Sequence, residues 1–474
     1  VSVHPEDGGL PPAQDVVEEA LAAAAGSDGC VVVVEETSEV EVRFANNTTT
    51  TNGSRRDRRV TVIALRHREG GTAAGVARRG GAVDVAELVR AAEQDAAGSP
   101  PADDAFPLTT PEEAARPDAV ARFQLPRAST DLAVLSDVLT DLAAAFGRAR
   151  RSEHVLAGFA EHRQTTEYLG TSSGLRLAHA QPQGALHLVA RSPDGTSSTW
   201  AGAGTTDFTD VSVEQLEARL SERLAWSSRR VERPAGRYEV VLPPEAVSDL
   251  MVGLAYELSG REAEEGRTVF STPGGGTRVG QQLAPLPFEL RSDPGQPGLE
   301  CSPFVTTLAS SADASVFDNG MPLDPTAWIS DGHLERLRYH RAGAARSGVA
   351  PAGFIGNLTL QVPGASGTLE ELVAQTERGL LLTCLWYIRT VDPATLLLTG
   401  LTRDGVYVVE DGVVVGAANN FRFNESPVDL LGRVSGVGTT VRALGREFGE
   451  WVNRTAMPAL RVPDFNMSSV SQAS

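Results

Sequence analysis

Cysteine is scarce in this sequence: Cys30, Cys301 and Cys384 are the only three in 474 residues. The count is odd and no pair is spaced as CxxC, which excludes a disulfide framework and a structural zinc ribbon and fits a reducing compartment. Basic residues are also short, 42 Lys and Arg against 61 Asp and Glu, for a formal charge of −19. A field of that sign repels a phosphate backbone, so nucleic acid is not an expected partner. The runs Arg55 to Arg59 and Arg148 to Arg151 are brief enough to be solvated faces or loop ends. No uninterrupted apolar stretch approaches the roughly 20 residues of a membrane helix. The opening VSVHPEDGGLPPAQ is acidic and proline-rich, with neither the basic nor the apolar segment of a signal peptide. These absences lead to the expectation of a soluble, cytoplasmic protein.

What is present suits a globular chain, because 41% hydrophobic and 22% charged residues supply both a core and a soluble surface. Single cores stop growing at roughly 250 to 300 residues, so two domains are expected. We place them at 1–233 and 234–474, with the boundary near Pro234-Ala-Gly236. The fold class expected is α+β, an N-terminal α/β domain with a mixed sheet and flanking helices followed by a β-rich, barrel-like domain of twisted antiparallel sheet.

In the first half, Val16, Val17, Ala20, Leu21 and Ala24 recur at helical spacing before an apolar strand from Cys30. Glu39 to Phe44 alternates strictly, Asn52-Gly53 reads as a turn, and Arg59 to Arg66 alternates again, which predicts a hairpin or short meander. Val85, Leu88, Val89 and Ala92 mark a second helix, Gly98 to Arg127 reads as a long loop, and another helix starts near Thr130 as its cap. Several short strands are expected between His154 and Gly204, then a helix from Val213 to Trp226. Beyond the boundary, a helix spans about Pro244 to Ser259. Asn319-Gly320, Asp331-Gly332, Asp404-Gly405 and Asp411-Gly412 then separate plausible strands.

Zinc hydrolysis needs nitrogen or sulfur ligands and a base for the metal-bound water, yet the chain has no HExxH or HExxxH. The pairs His154 with His162, His179 with His187, and His333 with His340 are seven or eight residues apart and read as ordinary surface or half-buried histidines. Cys384 lies in an apolar run without a flanking base, where a thiol stays protonated. Thr272-Pro-Gly-Gly-Gly-Thr277 lacks the lysine of a phosphate loop and reads as a flexible loop. Alternation places Asn420, Arg422 and Asn424 on one strand face. They either hold a peptide backbone or a partner loop, or line a solvated face.

The segments Tyr238 to Val247, Leu258-Ser-Gly-Arg261 and Gly266 to Phe270 are similar to the start of the C-terminal half of TldD/PmbA proteins. Phe317-Asp-Asn-Gly320, Gly356 to Leu360, Leu369 to Leu372, Gly379 to Thr383 and Val409 to Gly412 resemble the PmbA (TldE-like) branch in the same order. The tail from Arg461 to Ala473 resembles its actinobacterial version. In the catalytic TldD branch a helix carries HExxxH, whose two His bind zinc and whose Glu activates water. Here Met251, Val252 and Tyr256 stand at those three positions, and they cannot replace two imidazoles and a carboxylate.

The resemblance therefore implies a zinc-free subunit with no catalytic or metal residues of its own. It would pair as a heterodimer with a TldD-like subunit that carries the zinc, and help hold an unfolded peptide by strand addition. Asn420, Arg422, Asn424 and Thr383 are the candidate substrate or partner contacts. Peptide processing, including biosynthetic intermediates, is the implied activity of the pair. An independent hydrolase using an unrecognised Cys or metal site, and a homodimeric peptide-binding protein, stay open as alternatives.

Overall fold

The computed structural model describes residues 9–114 and 123–471. The start of the proline-rich opening, residues 115–122 of the expected loop and the last three residues lie outside the described residues. The first sheet is formed by β1 (Gly29–Ala45), β2 (Thr48–Arg68), β3 (Gly71–Gly80), β4 (Val155–Thr171), β5 (Arg176–Arg191) and β6 (Ser198–Thr205) in the order β3-β2-β1-β4-β5-β6. Every pairing in it is antiparallel, whereas a mixed sheet was expected. The long connection from β3 enters β4 on the far side of β1, antiparallel to it, so no crossover returns a strand in parallel.

Two features of this sheet correct the sequence reading. Asn52-Gly53 is not a turn: Asn52 pairs with Val42 and Gly53 with Glu41 inside one continuous strand. The chain reverses earlier, at Asn46 (φ 52) and Asn47 (φ 59), two left-handed residues as a type I′ turn demands. Asn47 fixes the site because its side chain donates to His154 O at 2.8 Å and accepts from Leu156 N at 2.7 Å, tying the turn to β4. In addition, the expected short strands after His154 are long ones, 17 residues in β4 and 16 in β5.

Helices α1 (Ala13–Ala23), α2 (Val85–Gly98), α3 (Ser136–Arg151) and α4 (Val213–Trp226) pack on one face of this sheet. That face is set by Val32, Val34, Val40, Val42 and Phe44, while Val31 and Val33 point to the other face and meet Phe304, Val316 and Phe317. The period of two thus explains why Cys30 to Val34 is buried on both sides. The cap before α3 is Asp131, whose carboxylate accepts from Ala133 N at 2.8 Å, one residue later than expected. Leu132–Leu135 forms a 3-10 turn leading into the helix.

The rest of the chain folds around a buried helix, α5 (Pro244–Tyr256). The second sheet has the order β10-β9-β8-β11-β20-β19, built from β8 (Glu289–Ser292), β9 (Thr326–Ser330), β10 (His333–Leu334), β11 (Leu358–Gln361), β19 (Val441–Ala443) and β20 (Thr455–Met457). The third holds β7 (Gly236–Leu242), β12 (Arg378–Leu382), β13 (Leu385–Asp392), β14 (Leu397–Thr402), β15 (Val406–Glu410), β16 (Val413–Ala417), β17 (Phe421–Glu425) and β21 (Leu460–Val470). Their order is β13-β14-β17-β21-β7-β12-β15-β16, and β18 (Gly436–Val437) adds to β21.

These two sheets are mostly antiparallel, with β11/β20 and β7/β12 parallel. Neither closes into the barrel that the turn density suggested. The outer strands β13 and β16 of the third sheet are not paired with one another, and β13 is twice bulged against β14. Asp331-Gly332 and Asp411-Gly412 are hairpin turns with both residues left-handed, but Asp404-Gly405 links strands that do not pair. Short helices α6 (Gly260–Glu264), α7 (Arg341–Ser347), α8 (Leu369–Ala374) and α9 (Pro427–Leu431) complete the described residues, among which no helix is long and apolar enough to cross a membrane.

One buried histidine makes the first sheet acid-sensitive. His187, 4% exposed, stacks on Phe159 at 4.5 Å and lies beside Trp200. Burial first, and then the Arg446 charge, depress its pKa from 6.5 to about 3. Between those values the unfolded chain binds a proton that the folded chain refuses, so stability rises with pH across the window and is lost as pH falls below about 6.5. We predict that His187→Phe loses about 2 kcal/mol less than the parent between pH 7 and pH 5, at about 1.4 kcal/mol per pH unit. Urea unfolding at the two pH values checks this, and parallel losses in both proteins would refute it.

Candidate functional site

Helix α5 begins on Pro244, whose fixed φ suits the first helical position, and runs between the second and third sheets. Every residue from Ala246 to Leu254 is buried. Met251 is fully buried and Val252 is 2% exposed, both in the main apolar cluster with Leu250 and Leu254. Gly253 faces Leu398 and Phe448, where an added Cβ would sit 3.4 and 3.7 Å from them, at ordinary packing distance.

The polar exceptions on α5 are satisfied locally. Ser248 bonds Thr455 through their hydroxyls at 2.8 Å. The fully buried carboxylate of Asp249 accepts the backbone N–H of Arg446 at 2.9 Å and those of Glu447 and Phe448 at 3.0 Å. Burial pushes its pKa up to about 7, while the three N–H donors pull the other way. Those bonds fasten the 445–451 loop to the helix.

The loop then meets the end of α5. Tyr256, 38% exposed, lies parallel to Phe354 at 6.2 Å and edge-on to Phe448 at 6.1 Å, and Trp451 continues the group 5.8 Å from Phe448. Trp451 is 70% and Phe354 47% exposed, so the aromatic group faces solvent. Arg338 braces it from below. Its guanidinium donates to Tyr256 O at 2.8 Å, pairs with Asp313 at 2.7 Å and lies 5.7 Å from the Phe354 ring, a cation at a helix C-terminus. Tyr256, Phe354 and Trp451 thus form an exposed aromatic patch at the end of the helix.

The other sequence candidates lie elsewhere. Phe421 and Phe423 point into the cluster around α5, so Arg422 and Asn424 occupy the opposite face of the third sheet. Arg422 is exposed and touches Thr399 Oγ1 at 3.4 Å, while Asn424 is half-buried with an unpartnered Oδ1. Asn420 precedes the strand and its carbonyl accepts from Ser471 N at 2.8 Å. Thr383 is 1% exposed, and its hydroxyl donates to Gly405 O at 3.2 Å. Gly405 has φ 144, and a Cβ there would lie 2.0 Å from the Thr383 oxygen, so the pair is a packing device. Arg422 and Asn424 thus share a face, Thr383 is inside, and neither group meets the end of α5.

Burial raises the thiols of Cys30 to about 12, Cys301 to about 11 and Cys384 well above the usual range, which leaves each protonated at neutral pH. Among the described residues no three His, Cys, Asp or Glu side chains converge as a metal site. Sequence reading missed the aromatic group and the Asp249 tie. The one available signal was Ser248-Asp249 inside an otherwise apolar helix.

The family profile described as the PmbA/TldA metallopeptidase C-terminal domain matches residues 235–469. Over the whole chain, the fold is similar to the crystal structure of TldE from Thermococcus kodakarensis, with a TM-score of 0.75, 16% identity and coverage of 96% of this chain and 99% of that one. A proposed DNA gyrase modulator from Thermotoga maritima gives a TM-score of 0.73 at 18% identity, and one from Bacteroides thetaiotaomicron 0.73 at 13%, both with 96% and 99% coverage. No curated protein matches the sequence significantly.

Two substitutions test the construction of α5. Met251→Ala should cost about 2 to 4 kcal/mol as a large-to-small change in a packed core, read by urea unfolding; an unchanged midpoint would contradict its burial. Asp249→Asn places an amide against a backbone donor and should cost about 1 to 3 kcal/mol. Faster hydrogen exchange confined to 445–451 is its expected signature, and unaltered exchange there would show that the carboxylate does not hold the loop.

Proposed function

Since residues 235–469 belong to the PmbA/TldA metallopeptidase family as its C-terminal domain, we propose that this chain is a zinc-free, TldE-like subunit. On this reading it assembles with a TldD-like subunit that carries the metal. One observation carries the reading. At the positions matching HExxxH, Met251 and Val252 are core residues and Tyr256 belongs to an aromatic surface group. A thioether, an isopropyl group and a phenol make a poor donor set for zinc, and none is a base for its water. The residues present do not fit the metal.

The exposed group of Tyr256, Phe354 and Trp451 supports assembly, because aromatic side chains are enriched where interfaces concentrate their binding energy. We propose that this face receives the TldD-like subunit beside its zinc, closing a chamber around an extended peptide. Edge strand β13 passes the same loop, since Tyr387 N donates to Glu447 at 3.0 Å. Its outer edge pairs with no strand among the described residues, and its groups other than Tyr387 N offer sequence-blind hydrogen bonds to such a substrate. The protonated, buried thiols give no support to an independent cysteine hydrolase.

The test mixes the purified chain with a TldD-like protein and follows cleavage of an unstructured peptide. Activity is expected only from the pair, to vanish when the partner's HExxxH glutamate is changed, and to need at least about tenfold more of this subunit when Trp451 and Phe354 are both Ser, as for loss of interface anchors. The chain alone should bind no stoichiometric zinc. Chelator-sensitive cleavage by this chain alone would overturn the assignment.

A further inference from the structure

Phe354, which packs on Tyr256, also lines a separate cleft of about 310 Å³ between the first sheet and the segments 301–323 and 353–356. The sheet wall is polar by register. Glu167 of β4 stands opposite Glu35 on one side and His179 on the other, and Gln181 lies two residues further along β5. The opposite wall brings Phe304, Met321 and Leu323 together with two buried donors, His340 and Arg454.

Each keeps one N–H without an acceptor among the described residues. Arg454 is 7% exposed; one guanidinium nitrogen donates to Pro182 O at 2.6 Å, but its Nε has no partner. Among the described residues no carboxylate forms an ion pair with it: Asp313 is taken by Arg338 at 2.7 Å and Asp318 by Arg341 at 2.9 Å, and the exposed Glu300 acts on it only through its field. Burial lowers the Arg454 pKa to about 10, which leaves it a cation at neutral pH. His340 is 1% exposed, and its Nδ1 accepts from Gly343 N at 3.1 Å. In the neutral ring, the state burial favours, the proton is therefore on Nε2. That Nε2 has no partner.

A buried cation without an anion is costly, and a buried N–H without an acceptor adds to the cost. Both line one cleft, so a single ligand can relieve both. One positive charge without an ion-pair partner matches one carboxylate better than a dianionic phosphate, which the neighbouring Glu167 would repel more strongly. The cleft's length suits a peptide. Arg454 and Gln181 both donate to Pro182 O, and Gln181 stands two residues from His179, the partner of Glu167, roughly 7 Å along the strand by the rise of an extended chain. That is about the span of two extended residues, with the polar sheet wall facing their amides and the apolar wall their side chains.

We propose that this cleft binds the free C-terminal carboxylate of a short peptide, with Arg454 and His340 as its carboxylate contacts. The site needs neither zinc nor a second subunit, so it stands or falls separately from the function proposed above. The test titrates the full-length chain with an equimolar library of free-acid tripeptides and with the same library as C-terminal amides, read by calorimetry and by saturation-transfer NMR. Free acids should bind at least tenfold more tightly than amides, and Arg454→Gln should abolish that preference. His340→Asn keeps a side-chain cap for α7 but removes the Nε2 proton, and should weaken the free acids several-fold. If Arg454→Gln does not fold, Arg454→Lys should retain a reduced preference. Absence of binding by the parent chain, equal binding of acids and amides, or a preference that survives Arg454→Gln would each overturn the proposal.

Discussion

A helix enclosed between two sheets has no solvent face, so each side chain it carries must either pack or be paired. That constraint governs α5. Its apolar residues from Ala246 to Leu254 meet the third sheet through Val240, Leu242, Leu398, Phe421 and Phe423, and the second through Leu290, Leu358 and Met457. Among the described residues no strand of one sheet pairs with a strand of the other; they share this helix in their core. Its identity therefore conditions both, and a polar group on it is tolerated only with partners. Asp249 meets the condition with three backbone donors and Ser248 with one hydroxyl.

The same constraint reaches the surface. By receiving the amides of Arg446, Glu447 and Phe448, Asp249 converts a core position into an anchor for the loop that carries Trp451. Phe448 then links Trp451 to Tyr256, while Arg338 fixes the helix end beneath them. The aromatic face thus stands on buried supports, and a preorganised surface loses less side-chain entropy on association. Arg446 itself lies 4.0 Å from the Trp386 ring and 5.5 Å from Trp200, so the loop also bridges the third sheet to the first.

Local chemistry made much of this fold legible. Helices α1, α2, α4 and α5 follow from apolar spacing, and the Asp331-Gly332 and Asp411-Gly412 hairpins from residues that accept positive φ. The failures share a cause in tertiary pairing. Asn52-Gly53 has the stronger turn signature, yet Asn46-Asn47 reverses the chain because Asn47 also bonds β4, more than a hundred residues away. Thr383 sits in a segment that carried the family resemblance, but its role is to fill the space beside Gly405. The alternation of Asn420, Arg422 and Asn424 was readable as a face; which side of the sheet α5 would occupy was not. Likewise the walls of the Arg454 cleft come from β4, β5, residues 301–323 and residue 340, a convergence that no local pattern announces.

The burial of α5 also bears on how firmly the proposed division between subunits is fixed. A glutamate at position 252 would enter a site where Val252 is 2% exposed beside Leu258, Trp328 and Ile355, around a cavity of only about 20 Å³. The nearest cation, Arg338, is already committed to Asp313, to the Tyr256 carbonyl and to the Phe354 ring. An ionised carboxylate there would be desolvated without a counter-charge, at a cost of several kcal/mol. A histidine at 251 would likewise replace a fully buried thioether within a close-packed cluster. Placing ligand-type residues at 251 and 252 would therefore require the surrounding core to open as well, because the packing there leaves neither the space nor the hydrogen-bond partners that a metal site would need.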